Sequence, residues 1–279
     1  MSAAQPQVYR APFDAVARRY DETFTSSRIG RAQRSAVWQE LEEAFRARDR
    51  VLEIGCGTGV DACFLAQRGI RVLASDASPQ MIEVTRRRIE ERGLERMVTS
   101  RVLRADDIGT LPSDQLFDGA FSNFGVLNCV EDLRQLARNL SGVLKLRANV
   151  ILCWMGPYCV WEMIWYLTKR SRSKAFRRLR RNGVTATLAQ GVSLRVHYPS
   201  IRVLRNAFAP EFKLKSVQGI GVCVPPSYME EWAVCHPRLI ALFEQADQIF
   251  GRCPGFRILG DHVLVRLQRR NAAPMVSLR

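Results

Sequence analysis

Acidic residues are in short supply: 27 Asp and Glu stand against 42 Lys and Arg, and the formal net charge is +15. The imbalance favours anionic partners, whether nucleic acid, a membrane surface or an acidic substrate. It says nothing of fold, and a soluble Arg-rich protein shows it too. Closely spaced cysteine pairs are absent. None of Cys56, Cys63, Cys129, Cys153, Cys159, Cys223, Cys235 and Cys253 forms a CxxC, so a zinc site is not expected and no metal is assigned. Most of them lie in apolar runs, where a free thiol behaves as a small hydrophobe, and a reducing cytoplasm fits. The opening MSAAQPQVYR lacks the apolar core of a signal peptide, so a cytoplasmic location is expected. A membrane span is missing as well. The most apolar stretch, residues 150–167, is interrupted by Gly156, Pro157 and Glu162 and suits a strand, a turn and a helix start. Internal repeats are not found.

Hydrophobic residues fill 47% of the 279 positions, enough for a sizeable core, and charged residues 25%, too few for a disordered polymer. Apolar spacing predicts helical character over residues 8–48, with Phe13, Val16, Ala17 and Tyr20 on one face. Short apolar runs predict strands at 50–54, 71–75, 98–105, 117–122 and within 143–155. Helices are expected at 61–67, 78–92 and 132–142, the second capped by Ser78 with Pro79 in its first turn. This alternation implies a Rossmann-like α/β sandwich of three layers around a mostly parallel sheet. After the fifth strand the order breaks. Residues 156–198 form an insertion, followed by a helix at 201–208, strands at 212–224 and 256–267, and a helical segment at 228–250. The expected organisation is an N-terminal helical lid segment (1–48), one domain (49–268) with a helical lid insertion at 156–198, and a flexible tail (269–279).

The stretch VLEIGCGTG, residues 51–59, places Gly55, Gly57 and Gly59 at the carboxyl end of the first strand, the edge where such sheets bind ligands. A dinucleotide loop reads GxGxxG, with its third glycine beneath a pyrophosphate. Val60 stands at that position here, which argues against NAD and FAD. Asp76 ends the second strand about 20 residues on, where an acid can accept both ribose hydroxyls; an ordinary capping aspartate is the alternative. Met81 suits the flat face of an adenine, or simply core packing. Asp106, Asp107 and Ile108 end the third strand, where a carboxylate and a backbone N–H can meet an adenine edge.

With these features, VLEIGCGTG, LASDASPQMIE, RADDIGTLP and FDGAFSNFGVLN resemble the class I S-adenosylmethionine-dependent methyltransferases. The likeness is nearest to the group that includes quinone-biosynthesis and many small-molecule enzymes, and FDAVARRYDETF is similar to that group's lid segment. It covers about residues 10–155 well and the last strands loosely. It implies a seven-stranded sheet with an antiparallel last strand and S-adenosylmethionine as cofactor. Carried over, it puts Glu53, Gly55, Cys56, Gly57 and Gly59 around the methionine part, with Tyr20 covering that end. Asp76 and Ala77 fall at the ribose, Met81 on the adenine face, Asp106, Asp107 and Ile108 at the adenine edge, and Ser122 and Asn123 nearest the methyl. SNFGVLN departs from the Asn/Asp-Pro-Pro-Tyr/Phe pattern of enzymes that methylate base amines.

Methyl transfer needs orientation first, and a base only for some acceptors. His197, at the exit of the insertion, and Tyr198 beside it are the candidate catalytic residues; His236 and His262 are weaker ones. The acceptor is expected to be small or lipid-like. Within the insertion, Trp161, Trp165 and Tyr166 precede eight basic residues at 169–181. That pattern suits a lid, peripheral contact with an anionic membrane through 161–181, or, less well, RNA. An RNA or protein methyltransferase, and a non-catalytic binding module of the same fold, are the rival readings.

Overall fold

A computed structural model describes residues 11–112, 114–189 and 191–271. Its first long helix, α1 (Arg28–Ala44), starts where the Ser27 side chain accepts from the Gly30 N–H. Before it, the chain makes short turns at Pro12–Ala15, Ala17–Arg19 and Asp21–Thr25 in place of a continuous helix. Residues 1–10 of the expected lid segment lie outside the described residues.

The expected alternation follows: β1 (Arg50–Ile54), α2 (Val60–Ala66), β2 (Arg71–Asp76), α3 (Pro79–Glu91), β3 (Val98–Val102), β4 (Phe117–Ser122), α4 (Leu133–Val143) and β5 (Leu144–Met155). Ser78 caps α3 by accepting from the Met81 N–H, and Pro79 opens it. The third strand is shorter than its apolar run, because residues 105–110 turn into a tight helix.

The insertion starts as expected with α5 (Val160–Thr168) and α6 (Arg172–Ala175). Its second half is a hairpin, β6 (Val184–Ala189) and β7 (Val192–Val196), where helix was expected. Val184, Ala186 and Leu188 are half-buried while Thr185 and Thr187 are exposed, the period-2 pattern of a strand. The chain continues through α7 (Ile201–Phe208), β8 (Phe212–Ile220), α8 (Glu230–Cys235), α9 (Pro237–Phe250) and β9 (His262–Arg269). Pro237 splits the expected 228–250 helix in two, since it lacks an N–H and crowds the residue before it. Phe256–Ile258 is a single turn outside the last strand. The expected tail begins inside the sheet, with Arg269 ending β9 and the Arg270 N–H donating to Glu211; residues 272–279 lie outside the described residues.

The seven-stranded sheet has the order β3-β2-β1-β4-β5-β9-β8. The first five strands pair in parallel, and β9 runs antiparallel to both β5 and β8. Strand order reverses between β1 and β4, which opens a crevice at their carboxyl ends. Side chains alternate across the sheet: Leu52 and Ile54 join the core under α4 and α7, while Val51 joins the one under α1, α2 and α3. Among the described residues, no helix is long and apolar enough to cross a membrane.

The insertion is tied to the sheet by charge. Glu162 is 1% exposed and Arg178 6% exposed. Arg178 Nη2 donates to Glu162 Oε2 at 2.8 Å and to Asp261 Oδ1 at 2.7 Å, while Nη1 donates to the Asp261 carbonyl at 2.8 Å. Arg177 adds two further bonds to Glu162. Removing one member of a buried network strands the others. Arg178→Ala should therefore lower the unfolding free energy by about 3–5 kcal/mol, measured by urea denaturation; a loss within the range of a surface ion pair would show that the network is not holding the insertion.

Candidate functional site

All three glycines of the loop have positive φ, and at Gly55 and Gly59 there is also no room for a side chain. Gly55 has φ +70°, and a Cβ there would lie 2.1 Å from Val126. Gly57 has φ +53°, yet a Cβ there would meet nothing within 4 Å. The space over the loop at Gly57 is open. The loop is held from both sides. Asp76 accepts from the Gly57 N–H at 2.9 Å and the Ser78 N–H at 2.8 Å, and the Thr85 hydroxyl donates to the Gly57 carbonyl at 2.9 Å. Burial lifts the Asp76 carboxyl to about 6, against the pull of those N–H groups. Cys56 is buried and its thiol is pushed up by burial, so it is an inert member of the loop.

The N-terminal segment lies across this edge and is latched at two points. Asp21 accepts from the Thr58 hydroxyl at 2.7 Å and from Arg88 on α3. Asp14 accepts from the Ser78 hydroxyl. The first latch touches the glycine loop and the second the end of β2. Tyr20 is carried between them, with burial raising its phenol.

At the same edge the expected residues Glu53 and Asn123 join a polar cluster whose other members, Arg34, Trp38 and Asp61, the sequence reading did not name. Asp61, at the start of α2, accepts from Arg34 Nη1 at 2.6 Å, Trp38 Nε1 at 2.7 Å and Asn123 Nδ2 at 2.9 Å. The Arg34 guanidinium also lies over the rings of Phe24 and Phe124, 5.7 and 5.0 Å from their centroids. Glu53 is 2% exposed beside this cluster, and burial, reinforced by Asp61, pushes its carboxyl well above the usual range. Three buried polar atoms here have no hydrogen-bond partner among the described residues: Glu53 Oε2, Asn123 Oδ1 and Arg34 Nε. Lone charged residues on the apolar faces of α1 and α2 were the available signal for Arg34 and Asp61.

The remaining expected residues divide. Met81 is fully buried beneath the N-terminal segment, and Ala77 lies at the turn after Asp76. Asp106 and Asp107 are exposed, Asp106 facing Arg104, while the Ile108 side chain sits in the core. The Ser122 hydroxyl is committed to the Ile54 carbonyl at 2.9 Å, so it ties β4 to β1.

On the acceptor side, His197 is clasped through its backbone by Asn128, whose carbonyl accepts from the His197 N–H at 2.7 Å and whose Nδ2 donates to the His197 carbonyl at 2.6 Å. The Tyr198 ring lies 5.5 Å from the Arg178 guanidinium. The weaker candidate, His262, is buried at the edge, its ring perpendicular to Phe124 at 5.4 Å. Asp261 Oδ2 stands 3.4 Å from its Nδ1 but is not aligned as a hydrogen bond. Burial lowers His262 below its ordinary value despite that carboxylate, which keeps the imidazole neutral near pH 7. Asp261 itself is held low, against its burial, by His262 and Arg178. Among the described residues, no group of His, Cys, Asp and Glu could hold a metal ion.

Breaking the first latch should free the N-terminal segment without unfolding the domain. In Asp21→Ala, tryptic cleavage after the exposed Arg18 and Arg19 should quicken roughly tenfold, since a charged hydrogen bond is worth about 1.5–3 kcal/mol. An unchanged cleavage rate would mean that the segment is held by other contacts.

Residues 51–146 match the methyltransferase domain family model. A demethylmenaquinone methyltransferase of Clavibacter sepedonicus is 34% identical over 149 residues, which are 53% of this chain and 58% of that protein. A tRNA 5-carboxymethoxyuridine methyltransferase of Escherichia coli K12 is 27% identical over 140 residues, 48% of this chain and 52% of that protein. The chain therefore spans little more than half the length of these curated relatives. Geranyl diphosphate C-methyltransferase of Streptomyces coelicolor, solved with Mg2+, geranyl diphosphate and S-adenosyl-L-homocysteine, shares the fold at 16% identity, with a TM-score of 0.56 over 95% of this chain and 84% of that one. Loop, strand order and family match agree that residues 51–146 carry a methyltransferase domain, similar to those of the class I S-adenosylmethionine-dependent enzymes.

Proposed function

We propose that this protein transfers the methyl group of S-adenosylmethionine to a small or lipid-like acceptor bound between the sheet edge and the insertion. One observation carries the reading: the buried, unpaired Glu53 Oε2, Asn123 Oδ1 and Arg34 Nε at one sheet edge. Two acceptors and one donor fit an α-amino acid end, the ammonium on Glu53 and Asn123 and the carboxylate on Arg34. Leaving such atoms unmet in a finished site costs about 1–3 kcal/mol each, so a ligand that meets them binds strongly.

The other assignments follow from this one. Asp76 keeps spare lone pairs on both oxygens for ribose hydroxyls, beside Ala77. Gly55, Cys56, Gly57 and Gly59 give the close backbone approach. Met81 supports the adenine face, the Asp107 and Ile108 backbone its edge, with Asp106 outside it, and Tyr20 closes the methionine end. When bound, the cofactor supplies a methyl already activated on a sulfonium. The chain's own task is to hold the acceptor in line and exclude water, an orientation effect of roughly 7–11 kcal/mol. His262 is our candidate for an acceptor-side base, being buried and neutral with the Asp261 carboxylate 3.4 Å from Nδ1. His197 and Tyr198 then line the wall through which the acceptor enters.

The demethylmenaquinone and geranyl diphosphate enzymes support an unsaturated, lipid-like acceptor. A second reading, transfer to RNA, draws on the tRNA methyltransferase relative and the basic insertion.

Burial raises Glu53 well above the ordinary carboxylate range, so the free protein should hold more of it protonated than a solvated carboxylate would be. Binding an ammonium there ionises it, so cofactor binding releases a proton and tightens as pH rises. Calorimetry of S-adenosylhomocysteine in buffers of different ionisation heat should show this release, and Glu53→Gln should abolish it. Heat independent of buffer would remove Glu53 from the methionine end.

Methyl-labelled S-adenosylmethionine, offered with a demethylated naphthoquinol, isoprenoid lipids, protein and tRNA, should label the quinol or lipid fraction. Label in tRNA favours the second reading, and tight binding with no label favours a binding module. With a labelled acceptor, His262→Gln should lower kcat by about 10²–10⁴-fold and remove a rate loss that sets in only below the ordinary imidazole range, with cofactor affinity unchanged.

A further inference from the structure

Between Glu162 and Glu211 the chain has no acidic residue and eleven Lys and Arg. Two of the eleven are spent internally, Arg177 and Arg178 on Glu162 and Asp261. Lys169, Arg170, Arg172, Lys174, Arg180 and Arg181 are exposed and meet no carboxylate among the described residues. Lys169 and Lys174 lie over the rings of Trp165 and Tyr166.

The same short segment exposes large apolar side chains: Ile164 at 54%, Leu167 at 43%, Phe176 at 40% and Leu179 at 45%. Ile164 and Leu167 are one turn apart on α5, opposite the face that buries Glu162. Phe176 and Leu179 have the same spacing on the turn after α6. Large apolar side chains left in water are unfavourable, and here they interleave with cations that meet no carboxylate among the described residues. They suit the headgroup boundary of a bilayer, where apolar groups enter the acyl layer and cations meet phosphates.

We propose that residues 160–181 are a docking surface for an anionic lipid bilayer. Charge complementarity selects the partner, and the aliphatic pair Ile164 and Leu167 separates it from nucleic acid. A phosphate backbone offers Ile164 and Leu167 nothing, and Trp161 and Trp165, the rings best suited to stack on bases, are turned inward against Phe243 and Tyr228. The surface adjoins the acceptor wall through Arg178 and Asp261, next to His262. Its purpose, collecting a lipid-like acceptor from the membrane, rests on the transfer reaction proposed above. Its existence does not, since vesicle binding needs no turnover.

The test is co-sedimentation of the full chain with phosphatidylcholine vesicles, with and without phosphatidylglycerol, at low and high salt. Binding should require phosphatidylglycerol and weaken with salt. Reversing Lys169, Arg172 and Lys174 to Glu should weaken it by roughly a hundredfold. Leu167→Asp with Phe176→Asp should weaken it by roughly tenfold or more even at low salt. All five positions are exposed, so circular dichroism and S-adenosylhomocysteine affinity should match the parent protein. Equal binding to neutral vesicles, no binding, or binding indifferent to both variant sets overturns the proposal. So does salt-dependent retention of tRNA that is lost on charge reversal, is unaffected by the Asp variants and is unaccompanied by vesicle binding.

Discussion

Asp61 is the point on which the site depends. Its carboxylate takes hydrogen bonds from α1, through Arg34 and Trp38, and from the end of β4, through Asn123. A buried ion pair costs desolvation and adds little to net stability unless its remaining polar atoms are met. What this one supplies is position. It fixes the N-terminal helix, the first helix after the glycine loop and the strand across the switch point relative to one another. The same three groups leave Arg34 Nε and Asn123 Oδ1 unmet, so the structural node is also the part of the edge prepared for a ligand.

Much of this was legible in the residues. β1, β4 and α7 occupy the ranges their apolar runs define, because a buried strand or an amphipathic helix leaves a periodic trace. The glycine loop was legible because a positive φ beside Val126 admits only glycine at residue 55. Arg34 and Asp61 were not, since a charge inside an apolar face looks like a surface residue until its partner, 27 positions away, is brought to it. The hairpin at 184–196 was hidden for another reason: its inward side chains are only half-buried, and the neighbouring basic run suggested helix.

The net charge has two components. Part of the basic insertion is structure, with Arg177 and Arg178 neutralised inside the fold. The rest faces solvent. A count of Lys and Arg merges the two, and only the pairing pattern separates the cations that hold the wall from those free to meet a partner.

Arg178 reaches Asp261 across 83 positions of sequence, and Asp261 directly precedes the strand that slides between β5 and β8. Contacts of such separation form late, because the intervening chain must first be ordered. The crevice between β1 and β4 is complete within the first half of the chain, while the acceptor wall awaits its final strand. The glycine loop is thus built from segments close in sequence, whereas the wall held by Arg178 and Asp261 joins the insertion to the chain's last strand.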